Sequence, residues 1–158
     1  MRHGSPRRSR GFSLIELITV VVMIGIFTAM AIPGFTYLTR ITRVKGAATT
    51  VYLSLLKARS EAVKRGSAVT LTPVGGNWAA GWTMTDSAAR TLLQQEAFTG
   101  LTLAGPATVV YLSSGRIQGG AVLAFSVSST QTSGSKTVAR CVTASTNGSP
   151  YVKDAVCS

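Results

Sequence analysis

The stretch GFSLIELITVVVMIGIFTAMAIPGF, Gly11–Phe35, decides how the rest of this chain is read. From Phe12 to Ile32 it is apolar but for hydroxyls and one carboxylate, Glu16. At ~1.5 Å rise per residue such a run makes a helix of ~31 Å, about one bilayer core. Immediately upstream, MRHGSPRRSR carries Arg2, Arg7, Arg8 and Arg10 and no acid. Positive charge ahead of a span holds that end in the cytoplasm and sends the other end outward. A carboxylate inside the span is costly, by about 3 kcal/mol on insertion scales, so Glu16 needs a reason.

Two kinds of processing compete. In a conventional secretory signal the cut follows Ala31, in the A-x-A sequence Ala29-Met30-Ala31, and a β-domain is released. That leaves Glu16 without a purpose. A cut between Gly11 and Phe12 keeps the helix and creates a free ammonium on Phe12. An ammonium sits badly on the positive end of a helix dipole, and a carboxylate in the first turns sits well. Glu16 then neutralises an ammonium on its own chain or on a neighbour, and a paired charge is far cheaper in lipid than a lone one.

The formal charge is +11, but it is concentrated. Without the four leader arginines it is +7, and the segment 34–65 holds seven more bases against Glu61. Residues 66–158 hold five bases and three acids. The basicity thus belongs to the leader and one helix, which is weak ground for a nucleic-acid function.

Pro33 removes a backbone donor and predicts a helix kink. Beyond it, residues 35, 38, 41, 44, 48, 51, 55, 58 and 62 are apolar or small, a helical stripe that ends at Gly66. After Gly66 the texture becomes β-rich: AVTLTP, WAAGWTMT, ATVVYLS, AVLAFSV, TVARCVT and a weaker PYVKDAV, separated by Gly, Ser, Asn and Pro. TLLQQEAF is ambiguous between helix and strand. Trp78 and Trp82 read as core aromatics, and Asp86 as a turn cap. The expected fold class is α+β: a long kinked N-terminal helix, membrane-spanning in its first half, packed on an antiparallel β-sheet domain. The divisions are a leader 1–11, a transmembrane or filament-core helix 12–33, an amphipathic continuation 34–66, and a periplasmic β-domain 67–158.

The motif Gly11-Phe12-Ser13-Leu14-Ile15-Glu16-Leu17 resembles the prepilin cleavage motif of type IV pilins and type II secretion pseudopilins. LLKARSEAVKRG, NWAAGWTMT and ARCVTASTNG resemble the GspH/FimT branch of that superfamily, whereas 86–136 carries the likeness only loosely. The resemblance implies cleavage after Gly11 by a prepilin peptidase, N-methylation of Phe12, and Glu16 as the assembly carboxylate. It implies an inner-membrane protein, with its N-terminus cytoplasmic and its C-terminal domain periplasmic. Partners would be other pilins or pseudopilins in a filament, the peptidase/N-methyltransferase and an inner-membrane assembly platform.

No catalytic motif occurs, and His3 lies in the leader, so no enzyme, metal or cofactor is expected. Cys141 and Cys157 are the only cysteines; beyond a membrane segment they are expected to form a disulfide. DNA-binding members of the branch carry Gly-Arg-x-Arg in the C-terminal loop. Here the matching stretch is NGSPYVKDAVC, with neither arginine. A DNA-binding reading would rest on Arg116, Arg140 and Lys153, few cations for a phosphate backbone, and is not favoured. The favoured function is a structural minor pilin or pseudopilin for assembly initiation or a tip complex.

Overall fold

A computed structural model describes residues 12–130, 138–155 and Cys157, with the side chains of residues 30–36 left aside. The chain divides into two compact units, Met1–Leu38 and Thr39–Ser158.

One helix, α1 (Leu14–Arg65), begins in the first unit. Its first bond runs from the Leu17 N–H to the Ser13 carbonyl, which places Glu16 in the first turn, on the favourable side of the dipole. Every described side chain from Phe12 to Ala29 is exposed. The helix is apolar all round, so no single face is set aside for a core. The hydroxyls of Thr19 and Thr28 donate back to the carbonyls of Ile15 and Ile24, both at 2.7 Å, and so need no water. Among the described residues no helix is long and apolar enough to cross a membrane. The side chain of Pro33 lies outside the described residues, and the kink expected there with it.

In the second unit the same helix has a sided pattern. Val44, Ala47, Ala48, Val51, Leu55, Ala58 and Ala62 are buried, at the three- and four-residue spacing of one face. The alanines keep that face flat and let β-strands approach closely. Hydrogen bonds from Gly66 N to Val63 O and from Ser67 N to Ala62 O end the helix in a Schellman pattern.

Eight strands follow: β1 Val69–Pro73, β2 Trp82–Asp86, β3 Thr91–Gln95, β4 Leu101–Ala104, β5 Val109–Tyr111, β6 Leu123–Ser129, β7 Ala139–Ala144 and β8 Pro150–Lys153. They form two four-stranded antiparallel sheets, ordered β3-β2-β1-β5 and β4-β6-β7-β8. The ambiguous TLLQQEAF supplies β3, and β4 adds a strand beyond those expected, although its Leu101-Thr102-Leu103 alternation between glycines is itself a strand signal. Trp78–Ala80 is a short 3-10 turn, with the Asn77 side chain accepting from Ala79 N. Alternating burial along β1, β2 and β4 marks strands with one covered face. In β7 the run Cys141–Ala144 is buried throughout.

Helix and both sheets share one core, built around Leu55, Leu71, Trp82, Met84, Tyr111 and Phe125. Trp78 meets Phe125 edge-on at 4.8 Å, and Trp82 stacks on Phe98 at 5.8 Å. The Trp78 indole donates to the Pro106 carbonyl at 2.7 Å. Gly81, between the tryptophans, has φ 93°, and a Cβ there would lie 2.2 Å from the Gln95 carbonyl oxygen. Any side chain at that position would push β3 away from β2.

Candidate functional site

Two places concentrate the residues singled out by sequence. At the first, the N-terminal end of α1, Gly11 lies outside the described residues. Phe12 is the first described residue and is 74% exposed. Glu16 is exposed one turn along, amid Ile15, Leu17 and Ile18, which are exposed too. Such a surface has no partner within the described chain. An apolar helix with one carboxylate in its first turn can offer an aliphatic packing face and a single acceptor for a cation.

The second place is the C-terminus. Cys141 on β7 and Cys157 are joined by a disulfide, with Cα atoms 5.0 Å apart. The Thr143 hydroxyl lies 3.4 Å from the Cys141 sulfur. The bridge ties the chain beyond β8, a strand exposed except at Pro150, to a strand buried within the core. Asp154 forms an ion pair with Arg140. Lys153 lies across the cross-strand position from Cys141, its ammonium 5.5 Å from the Tyr151 ring. Arg116 is exposed in the turn after β5. Arg140 and Lys153 are one register step apart across β7 and β8, which puts their side chains on opposite faces of that ladder, and each is engaged locally, by Asp154 and by the Tyr151 ring.

The loop between β7 and β8 is held rather than free. Gly148 has φ 80°, and a Cβ there would lie 2.1 Å from the Gly115 carbonyl oxygen and 3.0 Å from the Tyr111 ring. The buried Tyr111 hydroxyl donates to the Gly148 carbonyl at 3.3 Å. Burial pushes that phenol up to about 12. Ser145 and Asn147 close the turn with bonds to Ser149. These contacts tie the loop to β5 in the other sheet.

Sequence reasoning gave Asp86 only a capping role. Its side chain is 2% exposed and accepts from Ala88 N and Arg90 N, both at 3.0 Å, and from the Arg90 guanidinium at 2.8 Å. Arg65, at the end of α1, reaches the same carboxylate at 3.4 Å. The backbone N–H of Arg90, then the Arg90 side chain and the Ala88 N–H, hold this carboxyl below its ordinary range. Glu61, bonded to Arg65 at 2.7 Å, is also held below it. Asp86 thus clamps the helix end to the β2–β3 turn. The visible signal was local, an Asp at a strand end before SAAR; its long-range partner Arg65 left no trace in spacing. Among the described residues no group of three or more His, Cys, Asp or Glu could hold a metal ion.

The family model described as type II transport protein GspH matches residues 47–148, and the prokaryotic N-terminal methylation motif matches residues 6–32. No curated protein matches the chain. Among solved structures, the type IV minor pilin FimU of Pseudomonas aeruginosa (strain PAO1) in space group P21 superposes with a TM-score of 0.63 at 19% identity, over 73% of this chain and 92% of its own. The P65 crystal form gives 0.59 at 20% identity, over 69% and 91%. The minor pseudopilin EpsH from the Type 2 Secretion System of Vibrio cholerae gives 0.54 at 20% identity, over 71% and 97%. At these identities the likeness establishes a shared fold: a long N-terminal helix packed on antiparallel sheets.

Proposed function

This chain belongs to the GspH family, whose members are structural pilin-like and pseudopilin proteins, and from that premise we propose that it is a minor pilin or pseudopilin that works by assembly. Residues 1–11 are a leader removed by prepilin peptidase after Gly11, and Phe12 is N-methylated. Residues 12–33 hold the protein in the inner membrane, N-terminus inward, and then pack into the core of a type IV pilus or type II secretion pseudopilus. Residues 34–66 carry the helix onto the periplasmic β-domain, 67–158. Partners are other pilins or pseudopilins and the inner-membrane assembly platform, and the place is at filament initiation or in a tip complex.

One observation carries the reading. The first part of α1 exposes apolar side chains on all sides with one carboxylate in its first turn, while the downstream unit buries its own core. Such a helix is stable in water only when covered, by lipid or by like helices. Glu16 supplies the charge that sets register by pairing with a neighbour's N-terminal ammonium. The engagement of Arg140 by Asp154 and the pinned Gly148 loop favour a structural C-terminus over a DNA-reading one.

The test is the intact mass of protein extracted from membranes, together with the behaviour of Glu16→Val. Loss of residues 1–11 with one added methyl is expected. Glu16→Val should insert into the membrane at least as well as the parent, because an apolar span is cheaper in lipid, and should be depleted from sheared filaments. A soluble product beginning at Ile32, or normal incorporation of Glu16→Val, would refute the reading.

A further inference from the structure

Leu56, Arg59, Ser60, Val63 and Lys64 line a shallow, open cleft of about 560 Å³ on the outer side of α1. Its floor is aliphatic: Leu56 is half-buried and Val63 is 54% exposed. Leu53, also 54% exposed, continues the line one helical step back. Cations rim this floor, with Arg59 and Lys64 in the cleft and the exposed Lys57 beside it. The turn after β5 borders it, since a Cβ on Gly115 would lie 3.0 Å from Val63 Cγ2 and 3.3 Å from Arg59 Nε. That turn adds the exposed Leu112 and Arg116.

The balance of charge limits what can cover this surface. Glu61 is the carboxylate within the basic helix segment, and Arg65 already holds it at 2.7 Å. Asp86 is buried against Arg65 and Arg90, and Asp154 is taken by Arg140. Among the described residues of the second unit that leaves Glu96 as the exposed acid outside any ion pair. A second copy of this chain offers few free carboxylates to the cleft, and set face to face would bring cation against cation, a repulsion that discriminates between partners. A nucleic acid would match the cations but leave Leu53, Leu56 and Val63 without apolar contact. A protein segment with aliphatic side chains flanked by Asp or Glu satisfies both halves of the surface.

We propose that this cleft is the docking site for an acidic, aliphatic segment of a different subunit, so that the chain is seated beside an unlike neighbour and excludes its own kind. One or two aliphatic side chains of that segment lie on Leu56 and Val63, and its carboxylates meet Arg59 and Lys64. The proposal rests on the filament reading above and adds the identity of the neighbour by chemical class.

The experiment places a photo-crosslinking amino acid at Ser60 of the full chain in its own host, with attachment sites mapped by mass spectrometry in the sheared filament or pseudopilus fraction. The expected product joins Ser60 to one unlike subunit, at a segment of aliphatic residues flanked by Asp or Glu. Arg59→Glu with Lys64→Glu should cut its yield about tenfold while the melting temperature and filament incorporation hold. Lys57→Glu with Lys64→Glu, both at exposed positions, serves where Arg59→Glu lowers the melting temperature. Changing the mapped carboxylates of the partner to Lys should restore the product with the reversed cleft. Attachment to a second copy of this chain, to nucleic acid or to lipid, no product at all, or a yield unmoved by reversal overturns the proposal and leaves the filament reading standing. A chain that never enters the filament fraction overturns both.

Discussion

Two stretches of α1 both carry apolar residues at helical spacing and behave oppositely. In Leu14–Phe27 the large side chains face outward, with Leu14 at 77%, Ile15 at 68% and Phe27 at 70% exposure. In Val44–Ala62 the face at three- and four-residue spacing is sealed against the sheets, with Val44 and Ala58 at 0%. The difference lies in patterning and size. Upstream, bulky aliphatics occupy every side of the helix, so one sheet could bury only a fraction of them. Downstream, most small and apolar residues share one face, with lysines and arginines on much of the rest, so a single partner covers the main stripe and leaves Leu53 and part of Leu56 outside it. One stretch awaits other molecules; the other closes a core within its own chain.

The comparison is broken most sharply by truncating one phenylalanine from each region. Phe125 is fully buried, and its removal leaves a cavity beside Trp78. Phe125→Ala should cost about 3–5 kcal/mol in thermal unfolding of the detergent-solubilised full chain. Phe27→Ala should stay within about 0.5 kcal/mol and show its effect in filament incorporation instead. Comparable destabilisation by the two would mean that the N-terminal stretch is buried by its own chain.

A second test asks how much of the downstream unit's closure depends on covalent help. The Cys141–Cys157 bridge spans a sequence separation of 16. Cys141→Ser should lower stability by roughly 3 kcal/mol, and limited proteolysis should then clip the tail after β8 first. Two thiols titrating in the native protein would show that the staple is absent in the cell.

The next effect depends on pH. The Asp86 carboxyl is held below its ordinary 3.8 by the Arg90 N–H, the Arg90 guanidinium and the Ala88 N–H. A carboxyl depressed in the folded state contributes stability that is fully present above the unfolded value and is lost as pH falls through the folded one. Unfolding should therefore become easier below pH 3.8. Asp86→Asn should lower the melting temperature at neutral pH and flatten that acid limb. The smallest effect is expected at Arg140–Asp154, where the carboxylate side chain is 75% exposed. Arg140→Ala should cost about 0.2–1 kcal/mol and less in high salt.

The sequence by itself determined the N-terminal helix, the buried stripe from Val44 to Ala62, most of the strands and the pairing of the only two cysteines. These are matters of local period and composition, which repeat every few residues and survive without knowledge of the fold. The motif from Gly11 to Leu17 was equally legible, because a lone carboxylate in an apolar run has few uses. Tertiary structure alone decided the rest. TLLQQEAF became a strand because β2 offered an open edge, and the strands divided into two sheets because non-local pairing sets register. Gly148 met Gly115, Arg65 met Asp86, and a turn from one sheet came to border a helix face rimmed by Arg59 and Lys64. Each of these joins residues distant in sequence, where neither hydrophobic period nor turn chemistry carries information about the partner. Only closure of the core brings such residues together.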